Sequence, residues 1–299
     1  MNGIIIINKP KDFTSFDVIA VLRKKLGQRK IGHMGTLDPM ATGVLPILLG
    51  ETAKFQIYCA SNDKRYIAKM HLGMTTDSLD VTGKILTDVK SKITREKYEE
   101  ILKKFRGNIK QLPPMFSAIK KDGKKLYDLA RKGIEVERTP REITIKNLTL
   151  LDFDEKNQNA TIDVTCSKGT YIRSLCSDIG ENLGCGAVMT DLNRTESNGF
   201  NISQSISLDK LKELSIDEIT KNHILPTDSL FENQNKVNIS SSQETRFKNG
   251  GNLSLQRLKL PNNLKNGEIM RVYNEEIFVG LGQIDKNSGE LKILKCQIK

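Results

Sequence analysis

One segment near the start of the chain, KIGHMGTLDPMATGVLPILLG at residues 30–50, constrains the fold more than any other. Its Asp-Pro dipeptide favours a turn, and Gly32, Gly35 and Gly43 permit backbone conformations and close approaches that other residues resist. The apolar run GVLPILLG that follows is typical of a buried strand. We therefore predict a rigid turn that carries Asp38 and leads directly into the core of a sheet.

Polar side chains are concentrated in this turn, namely His33, Thr36, Asp38 and Thr42. A rigid connection between two elements would explain the glycines and the proline without any chemistry. A carboxylate held tightly in such a turn also suits a nucleophile or a general base. The residue pattern by itself leaves both interpretations of Asp38 open.

The hydrophobic periodicity predicts strands and helices in an irregular order. TSFDVIAVLRKKLG is predicted to be a helix with Phe16, Ile19, Leu22 and Leu26 on one face, and the alternating strand KRYIAKMHLGM places Tyr66 on a definite side. Further helices are predicted at ETAKFQIYCA, TREKYEEILKKFRG and TYIRSLCSDIGENLG, and further strands at GIIII, ITIKNLTLLDF and NATIDVTC. Because these elements do not alternate as regular βαβ units, the predicted class is α+β.

Two regions depart from this pattern. Residues 108–142 are rich in lysine and arginine and carry Pro113, Pro114 and Pro140, which indicates an inserted basic arm. After the stretch FENQNK, the chain consists of short β-like pieces, GEIMRVYN, EEIFVGLGQID and ELKILKCQI, typical of a small barrel. We therefore expect a main domain over residues 1–234, arm included, and a smaller domain over residues 235–299.

The net charge of the chain is +11 at pH 7, which points to a polyanionic partner. A membrane surface would require a basic amphipathic helix or an apolar span of about 20 residues, and the sequence contains neither. We therefore expect a nucleic acid partner and no membrane association. A lysine-rich composition that only keeps the protein soluble is the competing interpretation of the charge alone.

The five cysteines are scattered and form no C-x-x-C pair, so neither a disulfide framework nor a zinc ribbon is expected. The N-terminus, MNGIIIINKP, lacks the basic region and the apolar length of a signal peptide. Asp77 and Asp80 lack the further spaced oxygen ligands of a cation site, so we interpret them as loop residues. These features indicate a cytoplasmic protein without a structural metal.

The motifs of the chain carry a resemblance to one known family. They include GHMGTLDPMATGVLPILLGETAKF, the Lys-Pro stretch INKPKDFTSFDVI, the tyrosine strand DKRYIAKMHLGMTTDSLDVTG, the insertion QLPPMFSAIKKDGKKLYDLARKG, the arginine stretch CSKGTYIRSL and the closing segment AVMTDLNRTESNGF. In this order, over nearly all of residues 3–231, they resemble the motifs of the TruB family of bacterial tRNA pseudouridine-55 synthases. The tail resembles a PUA-like RNA-binding module.

The resemblance implies an activity, the isomerisation of the T-loop uridine of tRNA, position 55, to pseudouridine. It implies that Asp38 is the catalytic carboxylate, that Arg173 is its cationic partner, and that Tyr66 packs on the base and takes the C5 proton. An isomerisation adds and oxidises nothing, so neither a cofactor nor a metal is expected. Asp38 would attack C1′ of the sugar, remove a proton from C2′, or add to the uracil ring, and the sequence leaves all three routes open.

The resemblance also implies residues that bind or support the substrate. His33 matches a histidine near the flipped nucleotide, and Leu192 matches the hydrophobic residue that closes the pocket. Lys9 and Pro10 match a pair that supports the catalytic loop. The expected partner is the T-arm stem-loop of tRNA, with its uridine extruded from the loop. The matching thumb insertion contributes the basic residues Lys120, Lys121 and Lys124.

The implied fold is an α+β pseudouridine synthase core with a mixed, largely antiparallel sheet, a basic thumb and a small C-terminal PUA-like β-barrel. We expect a monomer that needs no protein partner. The combination of Asp38, Tyr66 and Arg173 argues against a non-catalytic tRNA-binding or folding chaperone. The absence of a methyl-donor fingerprint argues against a uridine methyltransferase. The N-terminal order and the short tail argue against a synthase for rRNA or for archaeal guide complexes.

Overall fold

A computed structural model describes residues 1–59 and 63–297 of the chain. The α-helices in these ranges are α1 (Ser15–Leu26), α2 (Arg95–Lys104), α3 (Leu126–Ala130), α4 (Ile172–Leu183), α5 (Leu208–Glu213), α6 (Ile216–His223) and α7 (Ser241–Lys248). Short 3₁₀ helices cover Gly50–Tyr58, Ile202–Gln204, Thr227–Phe231 and Leu255–Arg257.

The strands belong to a large sheet, a smaller sheet and two short hairpins. Those of the first 210 residues are β1 (Gly3–Lys9), β2 (Ile31–His33), β3 (Thr42–Leu49), β4 (Lys64–Leu72), β5 (Met74–Thr76), β6 (Ile85–Asp88), β7 (Gly107–Gln111), β8 (Lys120–Lys121), β9 (Lys124–Lys125), β10 (Arg141–Asp154), β11 (Asn159–Cys166), β12 (Ala187–Ser197), β13 (Phe200–Asn201) and β14 (Ile206–Ser207). The remainder are β15 (Lys236–Asn238), β16 (Leu253–Ser254), β17 (Ile269–Asn274), β18 (Ile277–Asp285) and β19 (Glu290–Cys296).

The large sheet is mixed and mostly antiparallel. Within the described residues its strand order is β14-β1-β3-β12-β4-β11-β10-β7, with β2 paired to β3 and β13 paired to β12. The parallel neighbours are β1 with β14 and β3 with β12. The predicted α+β class with a largely antiparallel sheet is therefore confirmed.

The strand β1 is buried on both faces of the large sheet. Ile5 and Ile7 pack in the core under helices α1, α2 and α4. Ile4 and Ile6 pack in a second core on the opposite face, which includes Phe55. Burial on both faces explains why this strand is a continuous apolar run rather than an alternating one.

Helix α1 begins and ends as its sequence predicts. Thr14 and Asp17 form a capping box, and Gly27 ends the helix with a left-handed φ of 61°. The buried side chains of the helix are Ser15, Val18, Ile19, Leu22 and Leu26. The prediction for Phe16 was wrong, because this residue lies beside the buried arc of the helix and its exposed fraction is 68%.

The segment predicted as the helix ETAKFQIYCA is a 3₁₀ helix over Gly50–Tyr58, and Ala60 lies outside the described residues. Thr52 and Phe55 are its main buried side chains. They are three residues apart, the spacing that places side chains on one line of a 3₁₀ helix.

The basic arm leaves from an edge of the large sheet. Residues 107–111 form β7, which pairs with β10 from Arg141 onward. The predicted range 108–142 therefore begins within β7 and ends within β10. The insertion itself connects these two paired strands. Residues 112–140, which we call the thumb, contain the hairpin of β8 and β9 and the short helix α3.

The C-terminal residues form a five-stranded half-barrel with the order β15-β17-β18-β19-β16, which confirms the predicted small β fold of the tail. The half-barrel has its own core, built around Val237, Phe247 and Met270. Phe278 and Leu281 on β18 join the second core of the large sheet. Ile298, at the end of the last predicted strand, lies outside the described residues.

Candidate active site

Asp38 lies in the turn between β2 and β3, residues 34–41, which we call the Asp38 loop. The first residue of α1 holds this loop from one side. The Ser15 hydroxyl accepts a hydrogen bond from the Leu37 N–H at 3.0 Å and donates to the Leu37 carbonyl at 3.3 Å. The start of α1 therefore fixes the backbone next to Asp38.

Lys9, the last residue of β1, supports the same loop from beneath. Its side chain is fully buried, and its ammonium donates to the carbonyls of Pro10, Phe13 and Pro39 at 2.9, 2.5 and 3.2 Å. Burial lowers the pKa of Lys9 to about 8, and the negative charge of Asp38 opposes this shift. Lys9 and Pro10 thus occupy supporting positions behind the Asp38 loop.

Arg194 clamps the loop from the third side. It is completely buried on β12, where its Nε donates to the Val44 carbonyl at 2.8 Å. Its two Nη groups donate to the carbonyls of Gly35 and Thr36 at 3.1 and 3.4 Å. Because one guanidinium fixes the first part of the loop and the start of β3, the position of Asp38 depends on β12.

Arg173 joins Asp38 to a second carboxylate. Its Nε lies 2.9 Å from Asp38 Oδ2, and its Nη1 lies 3.5 Å from Asp80 Oδ2. The same guanidinium donates to the carbonyls of Ser78 and Phe116, each at 2.9 Å. The Arg173 side chain is almost fully buried, whereas the Asp38 side chain is 36% exposed. The guanidinium of Arg173 therefore orients Asp38 through Oδ2 and leaves the other carboxylate oxygen open to solvent.

Asp80 lies in the loop between β5 and β6, as predicted, and it also belongs to this site. It is buried, and its Oδ1 accepts hydrogen bonds from the Ser78 hydroxyl at 2.9 Å and from the Thr82 N–H and hydroxyl at 3.0 and 2.6 Å. These donors fix Asp80 so that its other oxygen faces Arg173. Nothing in the sequence pattern indicates this role, since Arg173 comes from a distant helix.

Tyr66 lies on β4 with its ring on the core side. The predicted alternation is correct, because Ala68, Met70 and Leu72 are buried on the same side of the strand. Burial raises the pKa of Tyr66, and the nearby Arg194 opposes that shift. The phenol is therefore neutral at neutral pH.

His33 and Leu192 lie on strands that flank the Asp38 loop. The Nδ1 atom of His33 is buried and has no hydrogen-bond partner within the described residues, and its ring meets the exposed Phe16 edge-on at 5.7 Å. Burial and the charge of Arg194 lower the pKa of His33, which favours the neutral imidazole. Leu192 is buried on β12, directly opposite Ala68 of β4.

The thumb presents a concentrated positive charge. Lys120 pairs with Lys125 and Lys121 with Lys124 across the hairpin of β8 and β9. Lys120, Lys121 and Lys124 are exposed. Like charges directly opposite each other destabilise a hairpin. A bound polyanion would remove this repulsion. The thumb also contacts the site directly, because the Phe116 carbonyl accepts a hydrogen bond from Arg173.

Within residues 1–59 and 63–297, no group of three or more His, Cys, Asp or Glu side chains is arranged to hold a metal ion. Among the helices of the same residues, none combines the length and the apolar character needed to span a membrane.

The sequence did not predict Arg194 or Gln111, and it predicted Asp80 only as a loop residue. Gln111 binds both the N–H and the carbonyl of Tyr171, at 2.8 and 3.0 Å, and so fixes the start of α4. A lone polar residue at the end of a strand carries no spacing signal. For Arg194 the only signal is an arginine in a strand whose neighbours are largely buried, which is a weak one.

Two family models match the chain. Residues 23–172 match the N-terminal domain of the TruB family pseudouridylate synthases, and residues 173–232 match the tRNA pseudouridylate synthase B C-terminal domain. The tRNA pseudouridine synthase B of Clostridium tetani is 44% identical over 299 residues, which is 100% of both chains. The protein of the same name from Fusobacterium nucleatum subsp. nucleatum is 45% identical over 289 residues, covering 96% of this chain and 97% of that one.

Solved structures share the fold. A chain of a Cbf5-Nop10-Gar1 complex superposes with a TM-score of 0.74 and 26% identity, over 99% of this chain and 84% of that one. A chain of an H/ACA RNP bound to a substrate RNA containing 2′-deoxyuridine also gives a TM-score of 0.74, at 24% identity over 99% of this chain and 85% of that one. Both similarities extend over the main sheet and the C-terminal half-barrel.

Proposed function

The chain belongs to the TruB family of pseudouridylate synthases, and we propose that it isomerises the T-loop uridine of tRNA, position 55, with Asp38 as the reacting carboxylate. One observation supports this role of Asp38 above all others. Its Oδ2 is bound by Arg173, whereas its Oδ1 makes no hydrogen bond within residues 1–59 and 63–297 and remains accessible. A carboxylate that is oriented by one oxygen and open at the other is suited to react with a substrate.

The reaction balances without any added reagent. The bond from N1 to C1′ breaks, the uracil turns in the site, and C5 bonds to C1′. C5 then loses its proton and N1 gains one, so the atoms balance. Asp38 Oδ1 serves as nucleophile at C1′ or as base at C2′ in the two sugar routes, and adds to the ring in the third. In each route the Arg173 fork holds the charged carboxylate in one orientation before the substrate arrives.

Tyr66 acts as a proton relay in this proposal. Because its phenol is neutral, it accepts the C5 proton only if its own hydrogen moves on at the same time. The buried Arg194 lies near the phenol and stabilises negative charge that develops on its oxygen. The ring of Tyr66 packs against the turned uracil, and Leu192 closes the pocket beside β4.

The substrate is bound by its backbone and by its extruded base. A uridine inside a folded T loop has to be flipped out, at a cost of a few kcal/mol that phosphate contacts and stacking offset. The exposed lysines Lys120, Lys121 and Lys124 of the thumb provide phosphate contacts. His33, next to the Asp38 loop, contacts the extruded nucleotide through its neutral imidazole.

The organisation of the molecule completes the proposal. The catalytic domain covers residues 1–234, and a PUA-like RNA-binding domain covers residues 235–299. The boundary between them lies just before Lys236, the first residue of the half-barrel's first strand. The chain works as a monomer without a protein partner or cofactor. It works in the cytoplasm, where tRNA is modified, and its five cysteines all carry free thiols, as a reducing compartment favours.

The test is to map pseudouridine at single-nucleotide resolution in an unmodified tRNA transcript incubated with the purified protein. No metal or cofactor is added, and a chelator is present. We expect one product, at the T-loop uridine at position 55. A transcript with cytidine at that position is the matched control and should remain unmodified.

The alternative function, a tRNA chaperone without catalysis, gives a different result. A folded protein that binds the transcript and refolds it but forms no pseudouridine would contradict the proposed isomerase. Modification of another uridine would preserve the reaction and contradict the proposed position.

A further inference from the structure

Lys64 lies beside the candidate active site but has no part in the chemistry described above. It is the first residue of β4 and stands two positions before Tyr66, so both side chains point to the same face of the sheet. A Cβ atom on Gly35 would lie 3.1 Å from Lys64 Cε and 3.3 Å from its Nζ. The ammonium therefore lies directly against the backbone of the Asp38 loop.

Within the described residues, the Lys64 ammonium lacks a hydrogen-bonding or ion-pairing partner. No residue within 1–59 or 63–297 accepts a hydrogen bond from it or forms a salt bridge with it. Its neighbour Arg65 is paired twice, with Asp163 at 2.7 Å and with Glu196 at 3.1 Å. The nearby carboxylate Asp63 is itself paired, with Lys146 at 2.5 Å.

The surroundings of Lys64 make the unpaired charge more unfavourable. The side chain is largely buried, and this burial lowers its pKa. The positive charges of Arg194 and Lys168 act in the same direction, whereas Cys166 and the Asp63 carboxylate oppose the shift. A partly desolvated cation among other cations destabilises the free protein. An anionic ligand at this point would remove the penalty and gain a charge-assisted hydrogen bond.

We propose that Lys64 binds a phosphodiester of the RNA backbone next to the extruded uridine. A nucleotide whose sugar lies at Asp38 places its flanking phosphates at the Asp38 loop, where Lys64 meets Gly35. The exposed Lys168 adds positive charge on the same side. This inference rests on the proposed function, since it takes the substrate to be a flipped nucleotide.

The first test compares Lys64→Gln with Lys69→Gln. Lys69 is exposed on the same strand, on the opposite face, so the control variant loses the same charge away from the site. Binding of a T-loop hairpin RNA is measured at several salt concentrations in the Asp38→Asn background, which prevents turnover. We expect Lys64→Gln to weaken binding about tenfold and to reduce the salt slope by about one. Lys69→Gln should leave both unchanged, and the free Lys64→Gln protein should melt at the same or a higher temperature.

The second test identifies the phosphate. Hairpins that carry one neutral methylphosphonate linkage, on the 5′ or the 3′ side of the target uridine, are bound to the Asp38→Asn protein with and without Lys64→Gln. We expect the defect of Lys64→Gln to disappear with one of these RNAs, because the anion is already absent there. A defect of equal size on every RNA would show a structural role instead and would overturn the proposal, as would unchanged binding by Lys64→Gln.

A parallel assay separates this inference from the proposed function. The unsubstituted chain is incubated with the same hairpin, and pseudouridine is measured. If pseudouridine forms while Lys64→Gln binds normally, only the phosphate site is wrong. If no pseudouridine forms, the proposed function fails, and the methylphosphonate comparison still shows whether Lys64 binds a backbone phosphate.

Discussion

The guanidinium of Arg173 contacts both Asp38 and the buried Asp80, so a substitution of Arg173 affects both catalysis and stability. Arg173→Lys keeps the charge but not the planar fork. We expect the single-turnover rate to fall about 100-fold, because Asp38 is then misplaced. Arg173→Met leaves Asp80 unpaired and should lower the free energy of unfolding by about 3 to 5 kcal/mol.

These effects are measured by rapid-quench pseudouridine assays and by urea unfolding. Asp77→Asn serves as a control, since Asp77 lies in the same loop as Asp80 and contacts the Lys84 N–H rather than Arg173. Activity of Arg173→Lys close to that of the unsubstituted chain would show that a point charge is sufficient at this position.

Lys9 makes the stability of the fold depend on pH. Its pKa in the folded state is about 8, below the ordinary value of 10.5, so between these values the folded state binds fewer protons than the unfolded state. The free energy of unfolding then rises with pH through this window, and the destabilisation by the buried charge is complete below pH 8. Compared with Lys9→Met, which lacks this titration, the unsubstituted chain should gain about 2 kcal/mol between pH 7 and 9.5. A constant difference in chemical denaturation over this range would contradict the assignment.

At the scale of the residue, the sequence gives only part of the candidate site. Asp38 stands out from its turn alone, but Tyr66 resembles a core tyrosine and Arg173 a helix residue until the family resemblance is considered. Asp80 was predicted only as a loop residue, and Arg194 was not singled out. Each acts through a partner from a distant segment, and such pairings are set by the tertiary fold rather than by local spacing.

At the scale of the element, the parallel pairing of β3 with β12 positions the Asp38 loop. Gly43 sits in this contact with a φ of +105°, and a Cβ there would lie 2.2 Å from the Arg194 carbonyl oxygen. Only glycine fits, since any side chain would push β12 and its arginine away from the loop.

Gly43→Ala should therefore lower the free energy of unfolding by about 3 kcal/mol or more, and the protein that remains folded should lose activity. Gly107→Ala is the matched control, because Gly107 has a φ of +86° but no described heavy atom within 4 Å of its added Cβ. Backbone strain alone should destabilise this control by about 1 to 2 kcal/mol. Equal losses in the two variants, measured by urea unfolding, would show that the close approach of β12 is unimportant.

The elements themselves were well predicted by periodicity and capping. Strands β1, β3 and β4 and helices α1, α2 and α4 lie where the sequence placed them. The order of strands in the sheet was not predicted, because neighbours such as β3 and β12 are joined by contacts between residues far apart in the chain. The ends of the arm were misplaced because β7 is short and exposed, so it lacks an apolar pattern.

At the scale of the whole molecule, we propose that the net charge of +11 acts on the RNA through the thumb. The triple variant Lys120→Gln, Lys121→Gln and Lys124→Gln removes like charges that face each other across a hairpin. We expect unchanged or higher thermal stability, weaker tRNA binding and a salt slope lower by about two. The control replaces three exposed lysines of α2, Lys97, Lys103 and Lys104, with glutamine. Equal loss of affinity in both triple variants would mean that only the total charge matters.

The proposed function depends on one carboxylate, Asp38, which performs the isomerisation. The most direct measurement is the single-turnover rate of pseudouridine formation by Asp38→Asn, at protein concentrations that saturate the tRNA transcript, alongside the dissociation constant for the same transcript. The structure predicts a rate at least about 1,000-fold lower with a dissociation constant within about threefold, because the amide keeps the shape of the side chain but neither attacks nor takes a proton. A rate within tenfold of that of the unsubstituted chain would contradict the catalytic role of Asp38.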